Sequence, residues 1–141
     1  MSNTDPQRIE EVARLLVGTP YHHQGRLAGV GLDCVGVLIT IASRLGYRCH
    51  DLYGYARYPD GQTLLDQLSK STTPAPEGDQ SVGNIVIFWI TQPGLATHVG
   101  VRTSTGFVHA NARLGKVVEH SWNDAWRSRV MVELRFCPEE S

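Results

Sequence analysis

The chain has 141 residues, enough for one domain around one core, with 41% hydrophobic and 19% charged residues. Its formal net charge of −1 provides no basic patch to draw it to nucleic acid or to an anionic membrane. The polar start lacks a basic-then-apolar signal peptide, and the longest apolar run, residues 85–90, is too short to span a bilayer.

In chain order, residues 5–17 read as a helix. Ile9, Val12, Ala13, Leu15 and Leu16 share a face, Asp5-Pro6 is a start signal and Gly18 an exit. Residues 19–32 hold Pro20, Gly25, Gly29 and Gly31 without a period, which predicts a loop. A second helix begins at Asp33 or Cys34 and runs to Arg44 or Leu45. Val35, Leu38, Ile39, Ala42 and Leu45 recur at helical spacing, Val37 and Ile41 are apolar as well, and Gly46 ends it. Residues 47–61 are irregular and rich in tyrosine (Tyr47, Tyr53, Tyr55, Tyr58), residues 62–70 form a short helix and 71–83 a loop.

The period then changes. Residues 85–90 predict a strand covered on both faces. Residues 98–102 and 107–110 alternate as strands, 116–119 is a further short strand, 123–126 a helical turn and 128–136 a last strand. Helices followed by antiparallel strands make a single α+β domain over residues 1–141, with the central helix packed on the sheet.

Of the three cysteines, Cys49 and Cys137 fit the ordinary role of small buried apolar residues, and the odd count with wide spacing excludes a disulfide framework or a CxxC metal knuckle. Cys34 differs, because it stands where a glycine-rich loop enters an apolar helix. A helix N-terminus lowers a thiol's pKa through its dipole, and its unpaired N–H groups can bind a developing oxyanion. Gly36 leaves room for a close approach.

A nucleophilic thiol needs a base, and the base needs an orienting group. Strand alternation puts His98, Gly100 and Arg102 on one face, and Phe107 and His109 on one face of the next strand. A two-residue hairpin loop at Thr103-Ser104 sets His98 directly opposite His109, and one at Ser104-Thr105 makes them diagonal neighbours on the same face. A three-residue loop separates them onto opposite faces. The catalytic reading therefore requires an even loop. His22 and His23 read as solvated loop residues, and His120 receives no role. His98, His109 and His120 lie eleven residues apart in turn, a spacing that three neighbouring strands or a three-histidine zinc site could produce, although no HExxH pattern is present.

The strings Thr19-Pro20-Tyr21, Leu32-Asp33-Cys34-Val35-Gly36, Gly83-Asn84-Ile85-Val86-Ile87-Phe88, Thr97-His98-Val99-Gly100-Val101 and Gly106-Phe107-Val108-His109-Ala110 occur in an order that resembles the NlpC-type family of bacterial cell-wall cysteine peptidases, above all its short phage-tail-associated version. The resemblance implies a papain-like α+β fold and hydrolysis of peptidoglycan stem peptides at the D-γ-glutamyl–diaminopimelate bond. By it Cys34 is the nucleophile, His98 the base, His109 the orienting group, Tyr21 a cleft residue and Asp33 a substrate-recognition residue. It implies no cofactor or metal, phage tail or particle proteins as partners, and action on the cell wall after cytoplasmic synthesis. The sequence departs from the family at Val35, where serine is usual, and at His22-His23-Gln24-Gly25, where a Gly-Gly pair is usual. Two other readings stay open: a structural component of a phage tail with an inert cleft, and another papain-like amide chemistry such as a toxin-type amidase, an acyltransferase or a deubiquitinase.

Overall fold

The computed structural model describes residues 4–49, 51 and 62–139. The first helix, α1 (Pro6–Leu15), starts as its sequence dictates. The Asp5 carboxylate accepts from the Arg8 N–H, proline occupies the first turn, and Gly18 leaves the helix at φ +94°. Ile9, Val12 and Ala13 are its buried stripe. The segment expected to be a loop contains a small hairpin, β1 (Arg26–Leu27) with β2 (Gly31–Leu32), too short for a periodicity to mark it.

The second helix, α2 (Cys34–Leu45), is capped by Asp33 and ends at Gly46, whose φ of +73° suits a residue without Cβ. It lies across the strands β5 (His98–Arg102) and β6 (Phe107–Asn111), with α1 beside it. Of the tyrosine-rich segment, Tyr47 is buried and its hydroxyl accepts from the Asp5 N–H at 2.8 Å. Tyr53, Tyr55 and Tyr58 lie outside the described residues. The short helix α3 (Thr63–Ser69) leads into β3 (Thr72–Pro74), a three-residue edge strand where only loop was expected. Its proline closes the strand at the edge, where a missing N–H is tolerated.

The remaining strands are β4 (Ile85–Phe88), β7 (Lys116–His120) and β8 (Val130–Phe136), with the short helix α4 (Asp124–Ser128) before the last. They form one antiparallel sheet ordered β3-β8-β4-β5-β6-β7. Among the described residues the class is therefore the α+β arrangement that the sequence implies. Every residue of β4 is buried, as its unbroken apolar run requires. Ile85, Ile87, Val99, Val101, Val108 and Ala110 face α1 and α2, whereas Val86, Phe88 and Phe107 face Trp122 and Trp126 from the chain around α4.

The three cysteines are free, and Cys49 is exposed rather than buried while Cys137 is half-buried.

Gly36 is the tightest helical position. A Cβ there would meet the Gly25 carbonyl oxygen at 2.3 Å and Leu32 Cδ2 at 3.1 Å. Alanine ordinarily gains roughly 0.5–1 kcal/mol over glycine inside a helix, but here overpacking against backbone costs roughly 1–3 kcal/mol. Gly36→Ala is thus expected to lower the urea midpoint with an unchanged slope, and a raised midpoint would contradict the contact.

Candidate active site

Asp33 sets the start of α2. Its Oδ1 accepts from the Gly36 N–H at 2.8 Å and from Arg26 Nη1 at 2.9 Å, and its Oδ2 accepts from the Gln24 N–H at 2.8 Å. Arg26 also donates to Asp51 Oδ1 at 2.9 Å and to the Gly25 carbonyl at 2.9 Å. One buried carboxylate therefore ties the helix start to the glycine-rich loop before it. Tyr21 bridges in parallel to Leu32, two residues before Cys34, and packs half-buried on the core. His22 is exposed, as expected, whereas His23 is half-buried with its Nε2 3.4 Å from Gln24 Nε2.

Cys34 is the first residue of α2. The backbone N–H groups of Val99 in β5, and of Val35 and Cys34 at the helix start, act on its sulfur electrostatically in favour of the thiolate. The thiol thus meets β5 one residue beyond His98. All three donors favour a thiolate, but burial and then the neighbouring Asp33 carboxylate oppose them and push the thiol up to about 12. The helix N-terminus was expected to lower it. The dipole and donors are present, but desolvation is larger.

The hairpin between β5 and β6 has the even loop that the catalytic reading requires. Val101 pairs with Val108, Arg102 with Phe107, and Thr103 N–H bonds the Gly106 carbonyl, leaving Ser104-Thr105 at the tip. The tip is held by side chains: Thr103 and Thr105 hydroxyls both donate to Glu119 Oε2, at 2.6 and 2.9 Å. Ser104 N–H also bonds Glu10. His98 and His109 are consequently diagonal neighbours on one face, with His98 Nε2 2.7 Å from His109 Nδ1. Gly100 provides the room. A Cβ there would stand 3.4 Å from His109 Cβ and 3.3 Å from the Phe107 ring.

His120 was given no role by sequence reasoning, yet its Nδ1 lies 2.8 Å from His109 Nε2. The β6–β7 hairpin pairs Asn111 with Lys116 and Phe107 with His120, a second even loop that keeps the third histidine on the same face. The equal spacing of the three histidines was the signal available for it. The rings form a chain in which each bonds the next. Among the described residues no group of three or more histidines, cysteines or carboxylates converges on a metal position.

Trp126 lies against all three rings, with centroids at 6.4, 5.2 and 5.8 Å from His98, His109 and His120. This cover dries the face. Burial, with a smaller contribution from His120, lowers His98 to about 4, and burial with the two flanking imidazoles lowers His109 to about 2.

No protein-family model matches the sequence, and no curated protein sequence matches it. Solved structures do resemble the fold. A NlpC/P60 family protein from Bacillus cereus superposes with a TM-score of 0.72 at 18% identity, covering 98% of this chain and 42% of that one. The NlpC/p60 domain of the peptidoglycan hydrolase SagA matches with a TM-score of 0.63 at 21% identity, over 93% of this chain and 98% of that domain. The peptidoglycan hydrolase RipB from Mycobacterium tuberculosis gives 0.57 at 21% identity, over 95% and 66%. The fold is therefore the papain-like α+β fold of NlpC/P60 proteins, and the chain spans less than half of the Bacillus cereus protein.

An imidazole whose pKa falls on folding binds fewer protons than the unfolded chain between its two values, so the native state loses stability as pH drops through that window. For His98 the window runs from the ordinary 6.5 down to about 4. The lowered carboxylates Glu10, Glu119 and Asp79 act from about 4.5 downward. Thermal melts should therefore fall progressively between pH 6.5 and pH 4.5, and His109→Gln should flatten the slope. A melting temperature constant across that range would contradict burial of neutral imidazoles.

Proposed function

We propose that the chain is a cysteine peptidase of the cell wall, hydrolysing peptidoglycan stem peptides at the D-γ-glutamyl–diaminopimelate bond. The observation that carries this reading is the arrangement of a helix-start cysteine against β5 with a directly bonded His98–His109 pair. Two of the similar structures are named peptidoglycan hydrolases, which supports the substrate class.

His98 Nε2 is engaged by His109, so Nδ1 is the nitrogen left to serve the thiol. In the reaction Cys34 Sγ attacks the carbonyl carbon as its proton passes to His98 Nδ1. The N–H groups of Cys34 and Val35 stand at the helix start, where an oxyanion would form. The proton then goes from His98 to the leaving amine, whose bond to the acyl carbon breaks. Water, activated by His98, hydrolyses the thioester and restores the thiol.

Asp33 contributes chiefly by holding the helix start that aims Cys34. A substrate ammonium group would compete with Arg26 for Oδ1. Action on the wall, and association with a phage tail or similar particle, belong to this proposal as its setting. The competing reading, a structural domain with an inert cleft, draws on the raised thiol pKa, which burial and Asp33 produce.

The test is incubation with purified peptidoglycan and mass analysis of the fragments released. Cys34→Ala and His98→Ala should lose nearly all cleavage. His109→Asn should retain part of it, because an orienting group tunes a general base whose whole contribution is about 10²–10⁴-fold. Full activity of both Cys34→Ala and Cys34→Ser would overturn the mechanism, and a wild-type protein that releases no fragments would leave the structural reading in its place.

A further inference from the structure

His109 lies between two imidazoles and bonds both, through Nδ1 to His98 and through Nε2 to His120. It is buried, and its depressed pKa keeps it neutral at ordinary pH. A neutral imidazole carries one N–H, so His109 donates in one bond and accepts in the other. The two bonds must therefore run in the same direction along the chain of rings. Only two arrangements satisfy this. In one, all three histidines are protonated at Nε2 and the bonds point toward His120. In the other, the bonds point toward His98, which accepts at Nε2 and carries its own proton on Nδ1.

The two arrangements are chemically unequal. With the proton on Nε2, the Nδ1 lone pair of His98 is free to take a proton. With the proton on Nδ1, His98 can only donate there. The choice is made at the far end of the chain, because His120 either accepts at Nδ1 or donates from it. His120 is half-buried, with the Phe107 and Trp126 rings each 5.8 Å from its own. The Arg129 guanidinium lies over the same Trp126, 5.9 Å from its ring centroid. The backbone of His120 is pinned as well: its carbonyl oxygen occupies the space beside Gly106, where a Cβ would stand 1.8 Å away.

We propose that His120 is a positioning residue: by accepting from His109 it sets the direction of both imidazole hydrogen bonds, and so keeps the Nδ1 of His98 free as the base. Both the chosen direction of the bonds and the use of that base on Cys34 rest on the peptidase reading above.

The test is long-range proton–nitrogen NMR of the histidine rings at neutral pH, alongside stem-peptide kinetics, on wild type, His120→Leu and His120→Asp. The expected wild-type spectrum has His98 and His109 both protonated at Nε2. Leucine removes the acceptor, so His98 should gain the Nδ1-protonated form and kcat should fall about tenfold or more, part of the ~10²–10⁴ a general base supplies, with KM little changed. Aspartate, which when ionised can only accept, should restore the Nε2 form and most of kcat. A wild-type His98 protonated at Nδ1 would overturn the proposal, as would a folded His120→Leu whose His98 stays protonated at Nε2. If the leucine variant does not fold, the wild-type and aspartate spectra decide between the same two forms. A protein that cleaves no peptidoglycan but shows the expected spectra would sink the peptidase reading and leave the direction of the bonds standing.

Discussion

The register between β5, β6 and β7 is the constraint on which the site depends, since a strand places a side chain on one face or the other with no intermediate. Both hairpins have even loops, Ser104-Thr105 and residues 112–115, and each diagonal step brings the next imidazole into bonding distance. A one-residue slip in either hairpin would carry a histidine into the α1–α2 core and break the chain of rings. The first tip is accordingly held from outside the sheet. Glu119 gathers Thr103, Thr105 and the Arg14 guanidinium, and Glu10 of α1 meets Ser104 N–H. Exposed ion pairs of this kind add little stability singly, but several converging on one turn can select its loop length, and loop length selects the face.

The sheet has two differently built faces. Toward α1 and α2 it presents aliphatic side chains, which pack a helix closely and leave no polar group to satisfy. Away from them it presents Phe88, Phe107 and the three histidines beneath Trp122 and Trp126. The aromatic cover keeps water from the middle imidazole, so its two hydrogen bonds are made within the protein. Gly100 fits this face for the same reason, because Phe107 and His109 occupy the volume a side chain would need.

Much of this was legible in the sequence because it depends on period and parity. The two long helices, the central strands and the even-loop condition for His98 and His109 all follow from which residues recur at which spacing. The β1–β2 hairpin and β3 were not legible, being two and three residues long and defined by partners distant in the chain, such as β8 for β3. The family resemblance implies recognition at Asp33, but not that its oxygens bond Gly36, Gln24 and Arg26, partners that a motif cannot reveal. The contact of His120 depends on a second hairpin register, that of β6 with β7, which obeys the same parity.

Burial disfavours charge on either partner, raising Cys34 and lowering His98, so the two shifts act together toward a neutral thiol and a neutral imidazole. Asp33 adds to this from the sulfur's side: the carboxylate that caps α2 also repels a thiolate one residue away, and Arg26 offsets only part of its charge. The N–H groups of Cys34, Val35 and Val99 are too weak to reverse the balance. In the proposed reaction the helix-start N–H groups of Cys34 and Val35 act more strongly once charge passes from the sulfur to a substrate oxygen, because they are already fixed in place. On the proposed peptidase reading, such a site keeps Cys34 protonated until a carbonyl is present and couples loss of the thiol proton to attack. On that reading His98 must be able to accept at the moment of attack, so the direction of the imidazole bonds, proposed to be set two strands away at His120, matters at Cys34.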